Sequence, residues 1–284
     1  MLPRLCLIIQ PIPTILGTFS SQASMGKTSC HPAAFSAQKL TLETHSNLAL
    51  LRSAHRAASA SIKSIAITGS ANALTTGSPE ELAGGPLTNK TWLPITQEQA
   101  REANNPYISY CSAKKEGELA VWDFVKTEKP SFTVTVILPA LIFGPPLQPL
   151  KDGLKSLNYS TNIIYSFING TYETIPPTSF PSFVDVRDLA DAHVKVLTKK
   201  DTANRRLLIN GKPITYTALV HALAKVPELA GKLPADSGED AKVTFAQLDA
   251  DEDNELLGLT FHTVEETMAD TAKRLLELEK AASS

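Results

Sequence analysis

The chain has 284 residues, an apolar share of 43%, a charged share of 20% and a formal net charge of −2. That is material for one large or two modest domains, and it excludes a general electrostatic affinity for nucleic acid or an anionic membrane. No stretch approaches the ~20 apolar residues that a bilayer span needs. The three cysteines, Cys6, Cys30 and Cys111, lack metal-ligand spacing and cannot all pair, so a reducing, cytoplasmic setting is expected.

At the start, Arg4 precedes the apolar run Leu5-Cys6-Leu7-Ile8-Ile9. Pro11 and Pro13 interrupt it, and one Arg makes a poor basic region, so a short buried strand is expected in preference to a secretory signal. Residues 18 to 37 are rich in Ser, Thr, Ala and Pro without periodicity and read as irregular. Within them Gly26-Lys27-Thr28 lacks the earlier Gly of a phosphate-binding loop, because position 21 is Ser21. Residues 40 to 58 carry a helical stripe of Leu48, Leu50, Leu51 and Ala54. Residues 61 to 70 predict a buried strand ending in the small-residue turn Gly69-Ser70. A long connection follows, with Gly84-Gly85-Pro86 and an isolated Trp92.

A helix is predicted from residue 107 to about 126, with Ala113, Gly117, Ala120, Val121 and Phe124 as its apolar pattern and Pro130 beyond its end. A strand at 132 to 138 is closed by Pro139 and Gly144-Pro145-Pro146. Helix, strand, helix, strand is the rhythm of a parallel sheet with crossover helices. Residues 151 to 180 are rich in Pro, Asn and Thr, with Tyr159, Tyr165, Phe167 and Tyr172 among them, and suit a lid or substrate loop. Residues 183 to 188 predict a strand turning into a helix capped by a carboxylate, and that helix runs to about 197. A short strand at 206 to 209, a helix capped by Thr215 and a final amphipathic helix at about 264 to 279 complete the chain. The acidic run Asp249 to Glu255 has Asn254 where a calcium loop needs Gly and Thr260 where it needs Glu, so it reads as a solvated helix start. No pair of histidines has metal-ligand spacing and no Gly-x-Ser-x-Gly elbow occurs.

Chemistry enters at Tyr107-Ile108-Ser109-Tyr110-Cys111-Ser112-Ala113-Lys114-Lys115. On a helix Tyr110 and Lys114, four residues apart, share one face. A free phenol has a pKa of about 10, and a neighbouring ammonium favours its ionised form, bringing it nearer general acid–base duty. The same spacing also arises in helices with no catalytic role, so the pair alone leaves both meanings open.

Several separate stretches together resemble the extended short-chain dehydrogenase/reductases, in the branch of dihydroflavonol reductases, cinnamoyl-CoA reductases and fungal aldehyde/ketone reductases. They are Ile65-Ala66-Ile67-Thr68-Gly69-Ser70-Ala71, Tyr110-Cys111-Ser112-Ala113-Lys114-Lys115, Leu138-Pro139-Ala140-Leu141-Ile142-Phe143-Gly144-Pro145, Phe183-Val184-Asp185-Val186-Arg187-Asp188 with the residues following it, and Leu256-Leu257-Gly258-Leu259-Thr260-Phe261. Their order and spacing fit from about residue 40 to the C-terminus.

The resemblance implies a reductase that uses NADP or NAD, NADPH being favoured, on a small-molecule aldehyde or ketone. Tyr110 is then the proton donor to the carbonyl oxygen, and Lys114 bonds the nicotinamide ribose. Ser70 orients the carbonyl, and Pro139 lines the nicotinamide. The turn hydroxyl and strand terminator that Ser70 and Pro139 also provide are compatible with those roles. Asp185, Arg187 and Asp188 are expected to be mainly turn and cap architecture. Sugar dehydratases of the superfamily carry Thr followed by Asp-Glu at the place of Ser70-Ala71-Asn72, so carbonyl reduction is favoured, with epimerase chemistry behind it.

The expected fold is α/β: a Rossmann-like doubly wound parallel sheet lacking its first strands and Gly-rich loop, plus a smaller mixed C-terminal substrate domain. Residues 1–37 are expected to be irregular, 38–150 a partial dinucleotide-binding domain and 151–284 the substrate-binding region. Neither Gly-x-Gly-x-x-Gly nor Gly-x-x-Gly-x-x-Gly occurs, so the usual pyrophosphate turn at a helix N-terminus has no sequence counterpart. A late-starting gene model and a truncated paralogue both account for this. Three possibilities stand at this point: an active carbonyl reductase, a catalytically silent binding or regulatory paralogue, and a fragment whose sheet edge is exposed.

Overall fold

The computed structural model describes residues 5–9, 32–58, 61–78, 81, 84–211, 213–238, 240 and 247–283. Its central sheet has four parallel strands in the order β1 (Leu5–Ile9), β2 (Ile62–Thr68), β3 (Thr133–Pro139), β6 (Arg206–Ile209). Beyond the C-terminal end of β3, β4 (Leu141–Phe143) and β5 (Phe183–Asp185) form a separate parallel pair. The residues of β2, β3 and β6 are almost wholly buried, as expected where helices cover both faces of a parallel sheet.

Helices α1 (Pro32–Ala58) and α3 (Pro106–Glu128) pack together on one face. Leu51, Ala54, Val121 and Phe124 there meet Ile65, Ile67, Val134 and Val136 of the sheet. On the other face α5 (Val186–Thr198) brings Leu189, Ala192 and Val196 against Ala66, Ile137, Leu207 and Ile209. A second core lies towards the C-terminus. It gathers Ile164 and Phe167 of α4 (Tyr159–Ile168), Leu219 and Leu223 of α6 (Tyr216–Leu223), and Met268 and Leu275 of α8 (Val264–Ser283). The short helices α2 (Gln97–Glu102) and α7 (Asp251–Leu257) lie in the connections.

Several expectations need correction. Helix α1 begins at Pro32, so residues 32–37 are helical, whereas 18–31, with the Gly26-Lys27-Thr28 run, lie outside the described residues. The expected apolar stripe includes Leu50, which is 41% exposed; Leu51 takes the inward place. Residues 151 to 180 are more than a loop, because α4 buries Ile164 and Phe167 completely or nearly so. Strand β1 pairs with β2 from Leu5↔Ile62 to Ile9↔Ile67, so the edge of β2 expected to be open carries a strand. The opposite edge is also managed. Asp253, read as solvated, is buried, accepts the Leu208 N–H of β6 at 2.8 Å, and takes the Asn89 amide at 2.8 and 2.9 Å.

Two contacts fix where β2 ends. The Gly69 N–H donates to Ile137 O at 2.7 Å, and a Cβ there would stand 2.8 Å from Leu138 Cδ2 and 3.0 Å from Val136 Cγ1. Only glycine lets the turn leave the sheet this close to β3. From the other face, buried His193 on α5 meets Thr68 Oγ1 through Nε2 at 2.7 Å, and its Nδ1 meets Leu189 O at 2.8 Å. A carbonyl only accepts, so Nδ1 carries the proton and Thr68 donates to Nε2.

Gly69→Ala should lower stability by about 1–3 kcal/mol through overpacking. A denaturant melt with an unchanged midpoint would show that Leu138 yields freely. His193 gives a pH-dependent outcome. Burial lowers its pKa from the usual 6.5, so the unfolded chain binds the extra proton first. Its contribution is therefore present above about pH 6.5 and lost as pH falls through the lower folded value. The thermal midpoint of His193→Gln should fall less steeply than wild type just below that pH, and parallel curves would count against it.

Candidate active site

The candidate site lies where β2 and β3 end, the usual place for ligands in open parallel sheets. Ser70 follows β2 and opens the short turn Ala71–Ala73, whose first residues it caps. Pro139 closes β3 and is buried. Helix α3 starts beside them for local reasons: Asn105 Oδ1 accepts the N–H groups of Tyr107 and Ile108 at 2.8 and 3.3 Å, and Pro106 takes the first helical position. Tyr110 and Lys114 then fall one turn apart, with Lys114 Nζ 5.6 Å from the centre of the Tyr110 ring. That is within range of a cation–π contact and keeps a positive charge beside the phenol.

The turn after Ser70 docks on the first two turns of this helix. The link is Asn72, which sequence reasoning missed. Its Nδ2 donates to Tyr107 Oη at 2.8 Å and to Cys111 Sγ at 3.4 Å, while its backbone N–H donates to Ser70 Oγ at 3.2 Å. Tyr107 and Cys111 flank Tyr110 in sequence, so Ser70 and the Tyr110–Lys114 helix are parts of one packed unit. Burial pushes the Cys111 thiol up to about 12, which makes it an inert packing group instead of a nucleophile. Burial and the contact with Cys111 also push Tyr107 up, so this phenol stays neutral. The only advance signal for these partners was spacing: Tyr107 lies three residues before Tyr110 and shares its face.

Further along α3, Glu118 meets Arg206 of β6 at 2.6 Å, with side chains 2% and 10% exposed. Arg206 also donates to the carbonyls of Asn89 and Thr91 at 2.7 and 2.8 Å, and its guanidinium lies 3.5 Å from the centre of the Trp92 ring. Trp92, isolated in the sequence, is therefore half of a stacked pair. Near α5 the expected architecture of Asp185, Arg187 and Asp188 is present. Asp185 caps the helix through the Arg187 N–H at 2.8 Å and accepts the Thr267 hydroxyl at 2.7 Å. Arg187 bridges Asp185 and Asp270, and Asp188 accepts the His262 N–H at 2.9 Å. These hydrogen bonds hold Asp185 below the usual carboxylate range despite its burial.

A shallow cavity of about 360 Å³, lined by Leu147, Pro149, Leu154, Arg274 and Leu278, contains none of Ser70, Tyr110, Lys114 or Pro139. Among the described residues, no helix is long and apolar enough to cross a membrane and no group of side chains gathers that could hold a metal ion.

A parallel sheet with a Tyr-x-x-x-Lys helix beside its strand ends defines a class, and comparison places the chain within it. The chain belongs to the extended short-chain dehydrogenase/reductases. The NADPH-dependent methylglyoxal reductase GRE2 of Saccharomyces cerevisiae is 30% identical over 236 residues, which are 81% of this chain and 68% of the relative. An oxidoreductase of Schizosaccharomyces pombe is 34% identical over 218 residues, 76% of this chain and 64% of that one. The crystal structure of Gre2 from Candida albicans matches with a TM-score of 0.75 at 28% identity, covering 89% of this chain and 76% of its own. Yeast methylglyoxal/isovaleraldehyde reductase Gre2 complexed with NADPH gives 0.74 at 27%, covering 85% and 71%. No family model matches the chain. The chain spans 64%, 57% and 56% of the lengths of three curated relatives that it matches.

Glu118→Ala should cost about 3–5 kcal/mol, because it leaves the Arg206 charge buried without its carboxylate. A loss under about 1 kcal/mol in urea unfolding would mean that Trp92 and the two carbonyls hold Arg206 by themselves.

Proposed function

We propose that this chain is an NADPH-dependent carbonyl reductase that converts a small aldehyde or ketone to the alcohol. The observation that carries the proposal is the docking of the Ser70 turn onto the helix that stacks Lys114 over Tyr110. This donor set fits the nicotinamide-ribose half of a dinucleotide: an ammonium for the ribose hydroxyls, a phenol and a hydroxyl for the reacting carbonyl, and Pro139 beside them. The pyrophosphate half fits less well. Strand β1 is followed in sequence by Gln10-Pro11-Ile12-Pro13 in place of a glycine-rich turn. That is the observation favouring the second reading, a silent paralogue of the family. Epimerase chemistry has weaker support: UDP-glucuronic acid 4-epimerase from Bacillus cereus shares the fold at only 15% identity.

NADPH, when bound, supplies the hydride. Ser70 donates a hydrogen bond to the carbonyl oxygen and orients it. Tyr110 gives its proton to that oxygen as the carbon is reduced, so the alcohol leaves with one new C–H and one new O–H bond. The Lys114 charge lowers the cost of the phenolate left on Tyr110. Burial keeps Tyr107 neutral, and the Asn72 amide keeps it bonded at the same wall. Residues 151–284 form the substrate-binding region in this proposal, residues 38–150 the partial cofactor domain, and the setting is cytoplasmic.

The test uses the purified full chain, NADPH and methylglyoxal. Calorimetric titration reports cofactor binding, and loss of NADPH absorbance reports turnover. Tyr110→Phe should lower turnover by ~10²–10⁴-fold while NADPH binding is retained. Near wild-type turnover would remove Tyr110 from the mechanism. A wild-type chain that binds no NADPH would make the silent paralogue the better account.

A further inference from the structure

The reduction proposed above requires the Ser70 proton to point at the substrate, yet in the structure that proton has another partner. Ser70 Oγ accepts the Asn72 backbone N–H at 3.2 Å and donates to Asn72 Oδ1 at 3.3 Å. The Asn72 amide is not free to turn. Its Nδ2 is committed to Tyr107 Oη at 2.8 Å and to Cys111 Sγ at 3.4 Å. Tyr107 Oη and Cys111 Sγ thus both accept from the one Asn72 amide nitrogen. Asn72 is thus bonded on one side to Tyr107 and Cys111 and on the other to Ser70, and the first two fix how it meets the third.

We infer that Asn72 is a positioning residue: its amide, locked by Tyr107, sets the direction of the Ser70 hydroxyl and holds that proton until a substrate carbonyl takes it. Two features support this. The backbone N–H of Asn72 occupies a lone pair of Ser70 Oγ, which leaves the Ser70 hydroxyl to act as donor. The bond to Asn72 Oδ1 is long beside the 2.7–2.8 Å usual for O–H···O, so exchanging it for a carbonyl oxygen costs little. Asn72 is half-buried and Ser70 buried, so water competes poorly for either group. Asn72 itself need not touch the reacting atoms. It acts through Ser70.

The inference rests on the proposed reduction, and the experiment separates the two. Asn72→Ala should lower kcat for methylglyoxal by up to about tenfold, the loss of one modest hydrogen bond, with KM nearly unchanged. The double variant with Ser70→Ala should be no slower than Ser70→Ala alone, because Asn72 has then lost its object. Effects that multiply would overturn the inference. A second readout needs no turnover. The Asn72 side-chain amide resonances, assigned by their loss in Asn72→Ala, should shift in both Ser70→Ala and Tyr107→Phe. If they stay in place in both, Asn72 does not link the two residues and the inference falls, whether or not the chain reduces a carbonyl. If they shift while the wild-type chain fails to turn over, the positioning network stands and the proposed function falls.

Discussion

One buried cation holds the parts of this molecule in relation to one another. Arg206 lies on the last strand of the sheet, yet its guanidinium serves Glu118 on α3, two carbonyls of the 89–91 segment and the face of Trp92. A guanidinium suits this place because its planar set of donors can satisfy a carboxylate and two carbonyls while its face stacks on an indole. Helix α3 is thereby anchored at its middle, and its first two turns project over the strand ends with Tyr110 and Lys114 on them. The Tyr110–Lys114 face is followed one turn later by a carboxylate whose cation comes from the distant strand β6. Gly69 completes the arrangement from the other side by bringing the Ser70 turn close to β3.

Two halves of a dinucleotide make separate demands on a fold. The ribose and nicotinamide need a few side chains at strand ends, and in the proposed reading α3 and the Ser70 turn carry them. The pyrophosphate needs backbone N–H groups in a tight glycine-rich turn at a helix N-terminus, where side chains are poor substitutes. An epimerase at 15% identity shares the fold, so the sheet by itself does not select reduction.

Much of this was legible in the sequence because it is local. Pro106 and the four-residue spacing of Tyr110 and Lys114 mark α3, and the run Ile65 to Thr68 marks a buried strand. Asp185 before Val186-Arg187-Asp188 marks a capped helix, and the structure has each of these. The misses have physical causes. Helix α4 hides in a segment whose Asn and Thr residues suggest a loop, and it is stabilised by burying Ile164 and Phe167 in a core drawn from distant parts of the chain. Leu50 follows the helical period loosely enough that a one-residue rotation places it outside. Arg206 with Trp92, Asp253 with Leu208, and Asn72 with Tyr107 pair across long separations, and no local periodicity announces such partners.

Strand β1 has a consequence in time as well as in space. On a ribosome Leu5–Ile9 emerges before its partner, Ile62–Thr68, which follows more than fifty residues later. Domains fold as units during synthesis, and an unpaired strand is a site of misassociation until it is matched. Strand β1 thus waits for its partner, and its docking closes a long loop whose entropy must be met before any contact repays it. Once docked, β1 is paired with β2 at the end of the described sheet. Among the described strands it is placed to be the first to open in the finished molecule.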